Sequence, residues 1–406
     1  MAGARFAVYA VAAVAASLAL IAVSLSVVPA LTTSALSRGE EKRVVAFEQR
    51  YNYSLGQETW TARNLKMGDI PPNSSVVILN PFSADMDNFV REKIASATTA
   101  DQVRKFWART EPYSHYNLVR LPAWLGGQKD DVSSLRAYSA VAISSGCLIK
   151  YFGNDGRWAI EDPCHSDRYR PWDGLAFAGA ASMGMTSPSV PSSAGPLALA
   201  TLDLSVDKDG YITAKKPDIS ANGSPGQGRR LSQDELTLSN REMLDAASRN
   251  AGYALPFPAA GTYGKHLLTI TPAQVQWGMR VTGDLRAFEA LYADYYLGSN
   301  YHRTEIAVCP VALCPDLALG DSPADLAKNM VNVAPAEDRR VESGPDIAGR
   351  YAVLIANEGL DPGYAEAKLW GKGADRTDLF VTIRAYDMTM DELTLFAKSL
   401  GLSPED

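Results

Sequence analysis

The pattern of hydrophobic and polar residues along the 406-residue chain begins with one long apolar run. Residues 6–31 carry no charge and consist largely of Ala, Val and Leu. The run is longer than the roughly 20 residues that a membrane-spanning helix needs. It predicts a single-pass transmembrane anchor within residues 1–36, with the C-terminal bulk of the chain on the extracytoplasmic side. A cleaved signal peptide is the alternative, although such peptides have shorter apolar regions and end at an Ala-x-Ala site.

Two further stretches interrupt the pattern and divide the chain. Residues 37–64 are predicted to be a charged juxtamembrane segment that ends in an incoming strand, and residues 37–50 are expected to continue the membrane helix. Residues 221–231 are rich in Gly, Ser, Asn and Pro, which predicts a flexible linker. The two stretches leave one domain at 65–220 and another at 232–406.

The segment 232–406 mixes helical and strand-like patterns, which predicts an α+β domain of unknown family. Ser232 with Glu235 and Thr389 with Glu392 form capping boxes, which mark the first turn of a helix. Helices are predicted at 232–251, 284–297 and 389–400, and strands at 266–270 and 379–383. The helix at 284–297 is inferred from an amphipathic arrangement of Phe288, Leu291, Tyr292, Tyr295 and Tyr296.

Alternation of apolar and polar residues within 65–220 predicts half-buried strands, and this region holds the most specific motif of the chain. Residues 162–174 read Asp-Pro-Cys-His-Ser-Asp-Arg-Tyr-Arg-Pro-Trp-Asp-Gly. The motif resembles the second cluster-binding box of Rieske iron–sulfur proteins, Cys-Pro-Cys-His-Gly followed by a Tyr and an Asp-Gly turn. In that resemblance His165 occupies a ligand position, and Asp162 stands where the family has a ligand Cys.

The first box of the family is matched more weakly by residues 142–147. They read Ala-Ile-Ser-Ser-Gly-Cys where the family has Cys-Thr-His-Leu-Gly-Cys. Ala142 therefore replaces the ligand Cys and Ser144 the ligand His. The resemblance covers residues 65–220 and implies a mainly β, Rieske-like antiparallel sandwich of the membrane-anchored Rieske subunit type. It also implies a disulfide between Cys147 and Cys164 that joins the two boxes.

The other two cysteines, Cys309 and Cys314, form a second close pair. If the chain is exported, a second disulfide is expected in the oxidising compartment. Two buried free thiols are the alternative.

The expected cofactor follows from the donor atoms at the remnant cluster positions, Ala142, Ser144, Asp162 and His165. A Rieske centre needs two thiolates on one iron and two imidazoles on the other. One imidazole and no ligand thiol remain, so we expect a degenerate Rieske-like protein with neither a metal nor a 2Fe–2S cofactor. Two alternatives stay open: a mononuclear metal at His165 with Asp162 and Asp167, and a retained 2Fe–2S cluster that takes ligands from Cys309, Cys314 and one of His115, His266 and His302.

The function expected from this resemblance is structural. The net charge of −7 disfavours a nucleic-acid partner. We predict a structural or assembly subunit of a membrane respiratory or redox complex, such as a cytochrome b–Rieske-type assembly, without catalytic activity of its own. The alternative is a surface-exposed scaffold or binding protein that uses residues 232–406.

Overall fold

The computed structural model describes residues 40–93, 99–153, 157–183, 195–260, 265–272, 287–293, 303–313, 339–343, 352–357, 364–386, 388–400 and 402. This part of the chain is mainly antiparallel β-sheet with few helices. The predicted anchor at 1–36 lies outside the described residues. Within them, no helix combines the length and the apolar character needed to cross a membrane.

The first part of the chain forms four small or medium sheets. Its strands are β1 (Glu41–Arg43), β2 (Val45–Asn52), β3 (Gln57–Asn64), β4 (Ser74–Leu79), β5 (His115–Arg120), β6 (Leu135–Ser139), β7 (Lys150–Phe152), β8 (Ala159–Glu161), β9 (Arg168–Tyr169), β10 (Ala176–Ala178), β11 (Leu197–Ala198), β12 (Thr201–Leu202), β13 (Leu204–Val206), β14 (Ile212–Lys215) and β15 (Arg229–Arg230). The four sheets have the strand orders β12-β6-β5-β4-β2-β3, β10-β9-β8-β7, β1-β14-β13 and β11-β15.

The described helices are α1 (Ala84–Lys93), α2 (Ala100–Trp107), α3 (Ile219–Asn222), α4 (Gln233–Ala251) and α5 (Met390–Lys398). The remaining strands are β16 (His266–Pro272), β17 (Phe288–Ala293), β18 (Arg303–Pro310), β19 (Arg339–Ser343), β20 (Ala352–Asn357), β21 (Tyr364–Lys372) and β22 (Asp378–Ala385). They form one seven-stranded antiparallel sheet in the order β16-β17-β18-β22-β21-β20-β19.

The helix expected to continue from the membrane into residues 37–50 is wrong for the described residues. Positions 41–43 and 45–52 are strands β1 and β2. Val44 and Ala46 are buried, and the Val44 amide donates to the Ile212 carbonyl at 2.9 Å. The charges that resembled a juxtamembrane helix pair with residues far along the chain, Lys42 with Asp87 at 3.0 Å and Arg43 with Asp207 at 2.7 Å.

The predicted flexible linker at 221–231 is also wrong, because this stretch is folded. Strand β15 pairs with β11, and the buried Asn222 side chain donates to both Thr201 and Asp203 at 3.2 Å. The glycines serve tight turns: Gly223 has φ +76°, and a Cβ there would collide with the Gly228 carbonyl. Backbone conformations with positive φ favour glycine. The glycine-rich composition that suggested a linker is therefore that of a compact turn.

Both predicted capping boxes are confirmed. The Ser232 hydroxyl accepts from the Glu235 amide while the Glu235 carboxylate accepts from the Ser232 amide, and Thr389 and Glu392 repeat the arrangement at α5. These reciprocal bonds satisfy amide groups that a helix start leaves unpaired. The strands predicted at 266–270 and 379–383 lie within β16 and β22.

The helix predicted at 284–297 is wrong where the structure describes it, because residues 288–293 form strand β17. Phe288, Ala290 and Tyr292 are buried, a spacing of two that suits a strand. The strand pairs with β16 on one side and β18 on the other. Residues 284–286 and 294–297 lie outside the described part.

One hydrophobic cluster joins the two predicted domains. Leu121, Trp124 and Leu125, from the first domain, pack with α4, α5 and the seven-stranded sheet. The Trp124 ring lies 5.7 Å from the Phe288 ring, in an edge-on contact. Because large aromatic side chains dominate the energy of apolar burial, the two parts are held by a common core.

Candidate functional site

The two motif segments form adjoining loops, which we name the first loop (residues 141–148) and the second loop (residues 161–168). The first loop is a tight turn: the Ala142 amide donates to the Cys147 carbonyl at 2.8 Å, and the Gly146 amide donates to the Ala142 carbonyl at 3.2 Å. Gly146 has φ +70°, which glycine adopts without steric cost. These local bonds fix the backbone of the turn at Ala142, Gly146 and Cys147.

The second loop connects β8 to β9 and is closed by Asp162. Its amide donates to the Asp167 carbonyl at 2.9 Å, and its own carbonyl accepts from Ser166 at 3.0 Å. Its side-chain Oδ1 accepts from the Cys164 amide at 2.8 Å, the turn that Asp commonly forms with a backbone amide two residues on. The tip of the loop, residues 163–166, is exposed.

A disulfide between Cys147 and Cys164, the pair that the resemblance implies, joins the two loops. Beside it, the Ser144 hydroxyl donates to the Asp167 carboxylate. The other oxygen of Asp167 accepts from the Ala181 amide at 3.1 Å. Asp167 is fully buried, and a buried carboxylate needs such donors to offset its loss of hydration.

Tyr169, directly after the second loop, adds a third link to the first loop. Its hydroxyl accepts from the Ile143 amide at 3.1 Å and donates to Asp167 at 3.4 Å. Burial raises the pKa of Tyr169 well above its usual range, and the neighbouring Asp167 charge raises that pKa further. The phenol therefore stays protonated and serves as a fixed hydrogen-bonding group.

The four remnant cluster positions have different surroundings. Ala142 is buried in an apolar cluster with Tyr169 and Ile160, and Ser144 faces Asp167. The Asp162 side chain is fully buried, whereas that of His165 is 60% exposed with its Nδ1 3.7 Å from Asp162 Oδ2. Only Asp162 and His165 therefore approach each other, next to the disulfide.

Immediately after the second loop, Arg170 and Asp173 form a buried ion pair that the sequence analysis did not identify. Arg170 donates to Asp173 through Nε and Nη2, at 2.6 and 2.5 Å, and through Nη1 to Asn240 of α4 at 2.7 Å. Ser239 of the same helix donates to Asp173 at 2.5 Å. We name Arg170, Asp173, Ser239 and Asn240 the clamp. The sequence signal that could have indicated this buried ion pair is the charged Arg170 within the run Tyr-Arg-Pro-Trp.

Electrostatics at the clamp favour its charged form. Burial alone would raise the pKa of Asp173, but the Arg170 charge and the bonds from Arg170, Ser239 and Leu175 lower it below its ordinary value. A short, bidentate Arg–carboxylate pair is the strong form of such an interaction. The clamp thus attaches the base of the second loop to the C-terminal part of the chain.

A cleft of about 370 Å³ lies beside the clamp. Arg136, Trp172, Asp173 and Glu242 are among its lining residues. The Arg136 guanidinium lies 5.0 Å from the Trp172 ring, and its Nε donates to the Trp172 carbonyl at 2.9 Å. Acidic and basic groups are mixed here, so the cleft has no single charge preference.

The donor set does not fit a 2Fe–2S cluster. Both cysteines of the loops are in a disulfide, and the remnant positions offer one imidazole, a carboxylate, a hydroxyl and a methyl group. Cys309, the alternative source of a thiolate, is buried and disulfide-bonded. His115 is stacked on Trp107 and bonded to Thr110 at 2.7 Å. Cys314 and His302 lie outside the described residues.

The mononuclear site considered from the sequence does not form around Asp167, because Asp167 faces Ser144 and Ala181 rather than His165. In the part of the chain that the structure describes, the one group of potential metal-ligating side chains is Cys147, Asp162 and Cys164. Two of those three donors are bonded to each other as the disulfide.

Comparisons with known proteins give only distant similarity. No protein-family model matches the chain, and no curated protein matches it. Among solved structures it is similar to the quaternary ammonium Rieske monooxygenase CntA in complex with L-carnitine, at 10% identity over 70% of this chain and 65% of that one, with a TM-score of 0.18. It is also similar to an oxygenase–ferredoxin complex of carbazole 1,9a-dioxygenase, at 11% identity over 70% and 68%, with a TM-score of 0.17. The chain thus spans less than two thirds of the first of these proteins, and scores this low carry no argument about its function.

Proposed function

We propose that this chain is a Rieske-like protein without a functional 2Fe–2S centre, used as a structural or assembly subunit of a membrane redox complex. One observation carries the proposal. The two loops are joined by a disulfide and by the buried Asp167 carboxylate, while the positions of the expected ligands hold Ala142, Ser144 and Asp162. The loop pair is thus maintained by bonds that need no iron.

The membrane part of the proposal comes from the apolar run at 6–31. Such a run, followed by a folded β region that begins at Glu41, fits a head held close to the membrane surface. A head of that kind, without a redox centre, would act through its shape and its contacts. Its expected partners are protein subunits of the same membrane, such as those of a cytochrome b–Rieske-type assembly.

The first experiment is an assay of iron and acid-labile sulfide, with visible absorption and low-temperature EPR of the dithionite-reduced protein. The full chain is purified in mild detergent from a host that inserts clusters into a genuine Rieske protein, which serves as the positive control. The proposal expects a colourless, EPR-silent protein. Two irons and two sulfides per chain with a rhombic signal would contradict it and restore electron transfer.

The assembly role is tested separately by purification of the full chain from its native membranes in mild detergent. Co-purification of haem-containing or quinone-reactive membrane subunits is expected. Recovery of the chain alone, with no membrane subunit after chemical cross-linking, would count against the assembly role while leaving the cofactor result unaffected.

A second candidate, a surface-exposed scaffold, has one observation in its favour. The β2–β3 hairpin presents Tyr51, Tyr53 and Leu55 to solvent, and the two tyrosine rings lie 4.8 Å apart. Exposed aromatic groups of this kind are enriched where proteins bind one another. This surface lies within residues 37–64, whereas the scaffold hypothesis assigned recognition to residues 232–406.

The scaffold candidate is tested by a Tyr53→Ser, Leu55→Ser variant. Both side chains are exposed, so the variant is expected to fold, and it should lose captured soluble or envelope partners. The matched control is Leu238→Ser, an exposed leucine on α4. Equal recovery of partners with the parent, the double variant and the control would show that the hairpin is not a binding surface.

A further inference from the structure

Three potential metal donors meet where the two loops are joined. The Sγ atoms of Cys147 and Cys164 and a carboxylate oxygen of Asp162 all lie within 4.8 Å of one another. While the sulfur atoms are bonded to each other, neither is a thiolate, which is the form that binds metals. The oxidised loop pair is therefore a structural link, and its chemistry changes when the disulfide is opened.

Asp162 supplies a second, independent observation. Its side chain is fully buried. Oδ1 accepts from the Cys164 amide, whereas Oδ2 accepts no hydrogen bond from the residues that the structure describes. A buried carboxylate oxygen without a donor is costly. A cation beside Oδ2 would offset that cost.

A fourth donor stands next to this oxygen. His165 Nδ1 lies 3.7 Å from Asp162 Oδ2, and the imidazole is 60% exposed, so it can turn without disturbing the core. Zinc bonds of about 2.0–2.1 Å to nitrogen and oxygen place two such ligands about 3.3 Å apart at a tetrahedral metal. The existing separation is already close to that value.

We propose that the reduced form of the loop pair is a zinc site, with the thiolates of Cys147 and Cys164, the carboxylate of Asp162 and the imidazole of His165 as ligands. A dithiol reductant donates two electrons and two protons to the disulfide and becomes a disulfide itself. The two cysteine thiols then release their protons as they bind Zn²⁺. No electron passes to the metal, because zinc has no redox chemistry.

The backbone geometry is compatible with this change. Zinc–sulfur bonds of about 2.3 Å put two thiolates about 3.8 Å apart, so the sulfur atoms must separate. The two Cα atoms are 6.5 Å apart, and Cys147 and Cys164 lie in surface loops where Cys164 is exposed. Small side-chain rotations can open the pair without displacing the strands.

Zinc suits this donor set better than an iron–sulfur cluster does. Zinc binds mixed sulfur, nitrogen and oxygen ligands at a single ion, whereas the Rieske centre needs two imidazoles in addition to two thiolates. Asp167 is not expected to compete, because its oxygens are occupied by Ser144 and Ala181. Zinc uptake by the reduced pair is also independent of the proposed assembly role, which concerns the oxidised chain.

The test uses the full chain in mild detergent, with Cys309→Ser and Cys314→Ser so that only the loop pair can supply thiolates. The protein is reduced with a phosphine under anaerobic conditions and titrated with Co²⁺, which reports thiolate ligation by charge-transfer absorption, and then with Zn²⁺. The expected result is one Co²⁺ per chain with that absorption, lost when Zn²⁺ is added. The oxidised protein should show none.

Ligand variants sharpen the assignment. His165→Ala and Asp162→Asn should each weaken zinc binding by at least about tenfold, and the exposed Asp234→Asn on α4 should leave it unchanged. If reduction partly unfolds the chain, zinc should restore the circular dichroism of the parent protein but not that of His165→Ala, because metal binding is coupled to folding. Equal metal binding by oxidised and reduced protein, no binding by reduced protein, or unchanged affinity in both ligand variants would each overturn the proposal.

Discussion

The exposed tip of the second loop and the clamp that follows it differ sharply although they are neighbours in sequence. Residues 163–166 are exposed, and the Cys147–Cys164 disulfide links them to the first loop. Arg170, four residues beyond, is fully buried and bonded to Asp173 and Asn240. The motif therefore contains a tip suited to ligand chemistry and a base suited to fold stability.

This difference explains how ligand positions can change while the loop pair persists. The bonds to the first loop run from Cys164, Asp167 and Tyr169 to Cys147, Ser144 and Ile143, respectively. The bonds of the clamp reach α4, about 70 residues along the chain. Replacement of a ligand at the tip thus leaves the attachment between the two parts of the chain intact.

The largest effect is expected from Arg170→Met. The substitution removes the guanidinium and leaves the Asp173 carboxylate buried without its charge partner, which typically costs about 3–5 kcal/mol of unfolding free energy. Urea denaturation followed by tryptophan fluorescence measures it. The control is Arg104→Met, which breaks an exposed ion pair with Asp101 and should cost about 1 kcal/mol or less. Similar losses in the two variants would show that the clamp is no stronger than a surface pair.

The next effect is expected from the Cys147→Ser, Cys164→Ser double variant. Loss of this disulfide, whose cysteines are 17 residues apart in sequence, should cost about 3 kcal/mol in the chain-entropy account. The same denaturation experiment measures it, with the oxidised parent as control. Because the bonds of the clamp do not involve either cysteine, the clamp should survive, and the hydrodynamic size of the protein should not change. Separation of the two halves in limited proteolysis would contradict the distinction between tip and clamp.

Local signals in the sequence predicted part of this fold well. The capping boxes at Ser232 and Thr389 involve residues three apart, so their hydrogen bonds could be inferred without tertiary information. The two Rieske-like boxes likewise identified the cysteines that the structure joins. The capping boxes follow from local hydrogen bonding, whereas the cysteine pair was implied by the family resemblance.

Long-range pairing decided the elements that were missed. The apolar residues Phe288, Leu291 and Tyr292 have a helical spacing, and Phe288, Ala290 and Tyr292 have a strand spacing, so the sequence alone does not choose between them. Strands β16 and β18 make the choice by pairing on both sides. The link between the clamp and α4 was missed for the same reason, because Asn240 is distant in sequence from Arg170.

The clamp also predicts a specific pH dependence. The pKa of Asp173 is lowered on folding, so its contribution to stability is present above the unfolded carboxyl pKa, near 3.9, and is lost as the pH falls through the lower folded pKa. The unfolding free energy of the parent should therefore decline more steeply below about pH 5 than that of Asp173→Asn. The difference between the two slopes corresponds to the uptake of at most one additional proton on unfolding of the parent. Other carboxylates with lowered pKa, such as Asp69 and Asp207, affect both proteins equally. Parallel pH profiles would show that Asp173 gains no charge stabilisation.

A smaller effect is expected where the two loops meet, from Ser144→Ala. The variant removes one donor to the buried Asp167 carboxylate, which keeps the Ala181 amide and the Tyr169 hydroxyl. Loss of a hydrogen bond to a charged group costs about 1.5–3 kcal/mol, and the remaining donors should keep the loss near the lower end. The control is Ser54→Ala in the exposed β2–β3 turn, which should be nearly neutral. A neutral Ser144→Ala variant would mean that water replaces the hydroxyl and that Asp167 does not join the loops.

The smallest effect is expected from His165→Ala in the oxidised protein. The imidazole is mostly exposed, and it lies 3.7 Å from Asp162 Oδ2, so its loss should change the unfolding free energy by no more than about 0.5 kcal/mol. A substantial loss would assign His165 a structural role that its exposure argues against. An unchanged unfolding free energy would show that His165 does not stabilise the folded oxidised protein. Any effect of His165→Ala on the reduced, zinc-loaded protein could then be attributed to metal binding.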